Sequence, residues 1–305
     1  MAYDLTNPLV IGISSRALFD LEKENEIFEQ EGLEAYAAYQ LAHEKEILPK
    51  GPAFALVEAF LNLNNLQKDR LVEVIIMSRN SPDTSLRIFN SIKAYGLDIE
   101  RAALVGGGSI APYLKAFKTD LFLSAYADDV KRAVDNDVAA AVILTGNVPE
   151  KPEQQLTPIR IAFDGDAVLF SAASERIYQH KGMEAFYEYE QRKAQIPMEK
   201  GPFANFLLTL AHIQSLFDGQ DKVPIRTALV TARSTPAYGR AINTLRSWDV
   251  RVDEAFFLGG VPKKEILAAF GAHIFFDEQR THAEPASEMM AAGVVSYREG
   301  DDPRK

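Results

Sequence analysis

Six segments from the first half of this chain recur in the second half, in the same order and at nearly constant spacing. Arg16-Ala17-Leu18-Phe19 matches Ala167-Val168-Leu169-Phe170, Gly32 to Tyr36 matches Gly182 to Phe186, and Lys50-Gly51-Pro52 matches Lys200-Gly201-Pro202. Ser78 to Pro82 follows Ala232 to Pro236, Leu104 to Gly107 follows Phe257 to Gly260, and Phe117 to Leu123 follows Phe270 to Phe276. Ordered self-similarity of this kind means that one supersecondary unit is used twice, which restricts the fold to two related halves. Apolar runs such as Leu71 to Met77 alternate with long helical patterns, so each half is expected to be α/β around a parallel sheet. A length of 305 residues suits two ordinary domains. The expected division is 1–145, a linker over 146–158 that carries Pro149, Pro152 and Pro158, and 159–305.

The chemistry-bearing residues stand just past the ends of predicted strands in the second half. The run Ile161-Ala162-Phe163 delivers Asp164-Gly165-Asp166, two carboxylates around a glycine, before the sequence turns apolar again. After Thr227 to Val230 comes Thr231-Ala232-Arg233-Ser234, where a hydroxyl and adjacent amides could grip a phosphoryl oxygen. After Ala255 to Leu258 comes Gly259-Gly260-Val261-Pro262-Lys263-Lys264, a loop that opens a helix with lysine at its start. His273 to Phe276 ends in Asp277-Glu278. Taken singly, each has a plainer reading: Asp-Gly is an ordinary turn pair, Thr231 a β-branched strand residue, Lys263 a solvated lysine and Asp277 an N-cap. Their common position after successive strands argues for one site. Arg233 either faces a phosphate there or pairs with a surface carboxylate.

Two carboxylates, a threonine, a lysine and an acidic pair in this order resemble the four motifs of the haloacid dehalogenase-like phosphatases. The wording FDGDAVLFS, LVTARS, LRSW and HIFFDEQ, with the amino-terminal ISSRALF, is similar to the cytosolic type I 5'-nucleotidases along nearly the whole chain. The resemblance implies a Rossmann-like parallel sheet with a helical cap and magnesium-dependent hydrolysis of nucleoside 5'-monophosphates of the AMP or IMP type. It implies Asp164 as the nucleophile that forms an aspartyl-phosphate, and Asp166 as acid toward the leaving nucleoside and then base toward water. Thr231 would bind the transferring phosphoryl group, with Ala232, Arg233 and Ser234 around the substrate. Lys263 would neutralise charge, with Lys264 as the competing lysine. Asp164, Asp277 and the backbone carbonyl of Asp166 would hold Mg²⁺, and Glu278 would bind it through water or orient a ligand. Two other functions stay open: a phosphatase for another small phosphomonoester such as a sugar phosphate, and a nucleotide-binding regulatory protein with little turnover.

The first half does not repeat the chemistry. Aligned without gaps, it sets Ile13 against Asp164, Ser15 against Asp166, Met77 against Thr231, Ile110 against Lys263 and Ser124 against Asp277. A half without these carboxylates is expected to be a degenerate copy that supports or covers the live one. Its Val105-Gly106-Gly107-Gly108-Ser109 lacks the spacing of a P-loop or dinucleotide fingerprint and reads as a strand-to-helix turn, with a vestigial or regulatory nucleotide site as the alternative. Between the first two motifs, about 175–220, lies a polar, helix-rich insert that the resemblance makes a cap. Its Tyr187 and Tyr189 could stack on a base, whereas Phe203 and Phe206 read as packing.

Composition removes several alternatives. A formal charge of −10 argues against binding of a nucleic-acid backbone, which depends on clustered Lys and Arg. With no cysteine there is no disulfide, thiolate nucleophile or cysteine-bound metal. The five histidines show no ligand spacing, and His282 is expected at the surface. No basic leader or membrane-length apolar run is seen, so the expected setting is the cytoplasm, with a small-molecule nucleotide as partner and homo-oligomer formation compatible.

Overall fold

The computed structural model describes residues 4–144, 158–220 and 223–303. Of the expected linker only Pro158 falls among these residues. Ten strands are built by the apolar runs: β1 (Leu9–Ile13), β2 (Val72–Ser78), β3 (Arg101–Leu104), β4 (Leu121–Ser124), β5 (Ala139–Ile143), β6 (Ile159–Phe163), β7 (Ile225–Thr231), β8 (Glu254–Phe257), β9 (Ile274–Asp277) and β10 (Ala291–Val295). They form one sheet in the order β3-β2-β1-β4-β5-β10-β9-β6-β7-β8. Read outward from the middle, the two halves have the same strand order. Every neighbouring pair is parallel except β5 and β10, which are antiparallel. The fold is α/β, with the parallel strands buried on both faces and correspondingly apolar.

Alternation along the strands divides the core. Ile11 and Ile13 of β1 and Ile161 and Phe163 of β6 point to one face, where a single hydrophobic core runs through both halves. Val10 and Ala162 point the other way, into two smaller cores, one for each half. The helix Ala204–Ser215 lies on the shared face. Its Phe206, with Phe203 just before it, packs on Phe163 and Phe276 at ring-centroid distances between 4.7 and 6.4 Å. Phe203 and Phe206 are therefore core residues, as their spacing predicts. This part of the insert belongs to the sheet's own helical layer, and the piece left over the strand ends is the helix Ala173–Arg192. That helix is broken at Gly182 (φ 80°, ψ −177°), and the first half repeats the break at Gly32 (φ 86°, ψ −175°). Nothing lies within 4 Å of an added Cβ at either position, so the glycine answers the positive φ and not a lack of space.

The antiparallel join has a consequence for the site. Because strand direction reverses between β5 and β10, the carboxyl ends of the first five strands and of the last five open on opposite edges of the sheet. The first half therefore supports the second through the sheet and the shared core, and does not cover it as the sequence comparison allows. At the join, a Cβ on Gly293 would come within 2.8 Å of the Ala141 Cβ and the Phe276 ring. Replacing Gly293 with Val should cost about 1–3 kcal/mol through overpacking. The check is a lower urea midpoint at unchanged m-value.

Hydrogen bonds that recur at strand ends fix the register between the halves. Asp164 N donates to Phe276 O at 2.8 Å, and Ser14 N donates to Leu123 O at 2.9 Å. Leu258 N donates to Thr231 O, and Val105 N donates to Ser78 O. The counterparts of Asp164 and Thr231 are thus Ser14 and Ser78, not Ile13 and Met77, while Ser124 does stand where Asp277 stands. Phe19 and Phe170 occupy matching places, bridged to Lys50 and Lys200. The loop from Asp164 to Phe170 is therefore one residue longer than that from Ser14 to Phe19, and Asp166 has no one-to-one partner. The ungapped match fails there because it counts through the extra residue.

Among the described residues, no helix is long and apolar enough to cross a membrane.

Candidate active site

Strand ends bring the expected residues together. Asp164 follows β6, and its backbone N–H is tied to the carbonyl preceding Asp277 at the end of β9. Lys263, the first residue of the helix Lys263–Phe270, points inward between them. Its Nζ lies 2.6 Å from Asp277 Oδ2 and 2.8 Å from Asp164 Oδ1. The contact with Asp277 is an aligned hydrogen bond. That with Asp164 is close but misdirected, and Oδ1 has no hydrogen-bond partner. Lys264 instead turns outward to Glu288 at 2.6 Å, so Lys263 is the lysine at the site.

Asp164, Asp277 and Glu278 form a buried carboxylate cluster, each offering an oxygen within 4.8 Å of the others. Glu278 Oε1 accepts from Gln279 Nε2, while its buried Oε2 has no partner. Three buried carboxylates facing one lysine are under-compensated, and the charges respond. Burial raises Asp164 from 3.8 to about 6 against the pull of Lys263. Burial, reinforced by Asp164 and Asp277, holds Glu278 well above the ordinary glutamate value. For Asp277 burial is outweighed by Lys263 and His282, and its affinity for a proton is lowered. Burial also opposes the charge on Lys263, but Asp164 and Asp277 keep it protonated above the usual lysine range. Oxygen-only donors, an orphaned carboxylate oxygen and excess negative charge together fit a hard divalent cation. The third side-chain carboxylate of this set is Glu278, because the carboxylate of Asp166 is turned elsewhere.

Asp166 is clasped by Arg233, with Nε to Oδ2 at 2.8 Å and Nη2 to Oδ1 at 2.7 Å. The other guanidinium donors go to Glu190 Oε2 (2.6 Å), the Ala237 carbonyl (3.3 Å) and Met198 Sδ (3.2 Å). All five donors of Arg233 are engaged inside the protein, and none is left for a phosphate. Its carboxylate partners are the buried Glu190 and the half-buried Asp166 of the site, neither of the two alternatives open at the sequence level. Thr231 Oγ1 accepts from Arg233 N at 3.3 Å, which places the hydroxyl at the turn after β7. Ala232 is exposed and Ser234 half-buried, with Ser234 Oγ 3.3 Å from Tyr187 Oη of the broken helix. Tyr189 instead lies under Arg240 and Lys193.

Three residues at or beside the site are absent from the sequence-level set. His282, expected at the surface, is only partly exposed and sits with Nδ1 3.2 Å from Asp277 Oδ2. Glu190 is buried behind Arg233. Glu175, in the first turn of the broken helix, is raised in proton affinity by burial and by the charges of Asp166 and Asp277.

Comparison with known proteins places this arrangement. A solved structure of histidinol dehydrogenase from Elizabethkingia anophelis is 10% identical, covers 98% of this chain and 81% of that chain, and reaches a TM-score of only 0.25, too low to bear on the fold. Cytosolic 5'-nucleotidase 1B of Homo sapiens is 39% identical over 301 residues, covering 95% of this chain and 49% of its own length. The chain thus spans about half of that relative, at 49%. The family model described as 5'-nucleotidase matches residues 1–302, both halves included, and the chain belongs to the 5'-nucleotidase family.

Proposed function

We propose that the second half, residues 159–305, hydrolyses nucleoside 5'-monophosphates by way of a phosphorylated Asp164, and that the first half, residues 1–145, takes no part in the chemistry. The observation that carries this reading is the placing of Asp164: buried at the end of β6, 2.8 Å from Lys263 and one glycine away from a second carboxylate in a fixed clasp. A carboxylate so held can attack phosphorus while a cationic side chain offsets the charge that gathers on the phosphoryl oxygens. Asp164 Oδ forms its bond to phosphorus as the bond to the nucleoside 5'-oxygen breaks, and Asp166 supplies the proton to that oxygen. Water then attacks phosphorus, Asp166 takes its proton, and Asp164 leaves as the free carboxylate. Thr231 is suited to donate its hydroxyl to the transferring group. Asp164, Asp277 and Glu278, with the backbone carbonyl of Asp166, would hold Mg²⁺, which when bound offsets the repulsion between carboxylate and phosphate. Membership of the family supports the nucleotide as substrate. In the first half Ser14, Ile110 and Ser124 replace the nucleophile, the lysine and the metal-site aspartate, which supports an inactive copy.

Phosphate release from ribo- and deoxyribonucleoside monophosphates and from sugar phosphates, each with magnesium or with chelator, tests the reading. Release from nucleotides that needs the metal is expected. Release from sugar phosphates alone would keep the chemistry and change the substrate, and nucleotide binding without turnover would replace the enzyme with a regulatory protein.

A further inference from the structure

Beside the site lies a buried charge network that the four strand-end motifs do not contain. Its centre is Glu190, 1% exposed, on the second segment of the broken helix. Glu190 Oε1 accepts from Ser174 Oγ at 2.7 Å and from Arg240 Nη1 at 3.0 Å, and Oε2 accepts from Arg233 Nη1 at 2.6 Å. Through Arg233 the network ends on both oxygens of Asp166.

The first half supplies an internal control. Arg87 and Arg240 occupy the same place, since Nε of each donates to a backbone carbonyl, Glu46 O at 3.0 Å and Ile196 O at 2.9 Å. Eight residues beyond the kinked glycine stands Gln40 in the first half and Glu190 in the second, and eight residues before it stand Glu24 and Ser174. Arg87 is paired with Glu24 at 2.5 Å. The arginine on the helix that follows β2 or β7, Leu86–Ala94 in one half and Tyr238–Ser247 in the other, therefore keeps a carboxylate in both halves, and the fold meets that need without a carboxylate at the position of Glu190. Arg233 corresponds to Asn80, as their matching bonds to Thr231 Oγ1 and Ser78 Oγ show. A carboxylate at 190 and a guanidinium at 233 occur together only in the half that has Asp166.

From this we infer that Glu190 is a positioning residue: it anchors Arg233, whose other edge fixes Asp166, so that docking of the broken helix aligns the carboxylate that receives the water proton. The inference rests on the role given to Asp166 under Proposed function. The clasp takes one lone pair from each oxygen of Asp166 and leaves another on each, so Asp166 can accept a proton without leaving Arg233. Asp166 acts in both steps, but the clasp pairs with its ionised form, so the step it serves is the second one, in which the water oxygen bonds to phosphorus, the phosphorus–Asp164 bond breaks with its electron pair returning to Asp164, and the water proton passes to Asp166.

The test compares Glu190→Gln with the double variant Ser174→Glu/Glu190→Gln, which copies the first half and returns a carboxylate to Arg240. Nucleoside and phosphate release are followed separately before the steady state. The expected result for both variants is a nucleoside burst near one per site, no phosphate burst, and kcat lowered about 10- to 100-fold with KM falling alongside it. The double variant should recover the melting temperature without recovering kcat. Recovery of kcat together with the melting temperature, or a burst that shrinks in step with the steady-state rate, would overturn the inference by making Glu190 structural. If the single variant does not fold, the double variant carries the same comparison. Wild-type protein that releases no phosphate from any ester would overturn the reading of function itself, and this one with it.

Discussion

Asp164→Asn should abolish turnover and, in the absence of divalent metal, make the protein more stable. The loss of turnover is expected to be on the order of 10³-fold or more, about 4 kcal/mol of barrier, because an amide cannot form the acyl phosphate. The gain in stability follows from the site's excess charge. Burial raises Asp164 from 3.8 to about 6, so the folded protein holds this proton more tightly than the unfolded chain. Its contribution is therefore full below the unfolded value and is lost as pH rises through about 6. Asparagine removes that loss. At pH 7.5 in chelator the variant should gain up to about 3 kcal/mol, from a shift of about two units at 1.36 kcal/mol each. Added magnesium should raise the melting temperature of the wild type well above its chelated value and that of the variant much less, by linkage to binding. Thermal melts across pH, with and without metal, measure both effects. A variant that melts lower than wild type in chelator would show that Asp164 is compensated in the folded state.

Lys263→Met should act in the opposite direction on stability. It leaves Asp164, Asp277 and Glu278 buried together without the lysine that faces them. Removing one member of a buried charge set typically costs about 3–5 kcal/mol, since the charges left behind have lost both water and partner. The loss should be largest in chelator at neutral pH. It should narrow as pH falls through about 6, where Asp164 takes up a proton. A divalent cation should restore part of it. Phosphate release should fall strongly even at saturating metal, because the ammonium proposed to offset charge on the phosphoryl oxygens is gone. Equal stability of Lys263→Met and wild type in chelator would mean that the carboxylates are already protonated at neutral pH.

The strand-end residues are legible in the sequence because each follows an apolar run: Asp164, Thr231 and Asp277 stand at β-strand ends, and Lys263 opens a helix. The strand order is also implicit in the repeat, since two copies of one α/β unit repeat one topology. Three things are not legible, each for a physical reason. The direction of the join depends on β5 meeting β10, a contact of Ile143 with Gly293 between the far ends of the two halves, with no local pattern. The register slips at Ser14 because Leu18 and Phe19 resemble Leu169 and Phe170 while the loop after Asp164 carries an extra residue, and at Ser78 because Arg79 resembles Arg233 while the backbone aligns Arg233 with Asn80. Arg233 ends on Glu190 as well as Asp166 because the broken helix brings Glu190 behind it, and helical spacing alone does not reveal that approach. One signal for Glu190 was present: counted from the two kinked glycines, Gln40 changes to Glu190 and Glu24 to Ser174, a relocation of a single buried charge.

An antiparallel join between two like units is the geometry of a two-fold axis, the commonest symmetry of homodimers. In the strand β5 meeting β10, this chain carries what would otherwise be a subunit interface, sealing two sheet edges that would be open to other chains if the units were apart. A true dimer built this way would own two identical sites on opposite edges, and every substitution would fall on both. Covalent fusion removes that constraint, so one unit can carry serine and glutamine where the other has its carboxylates.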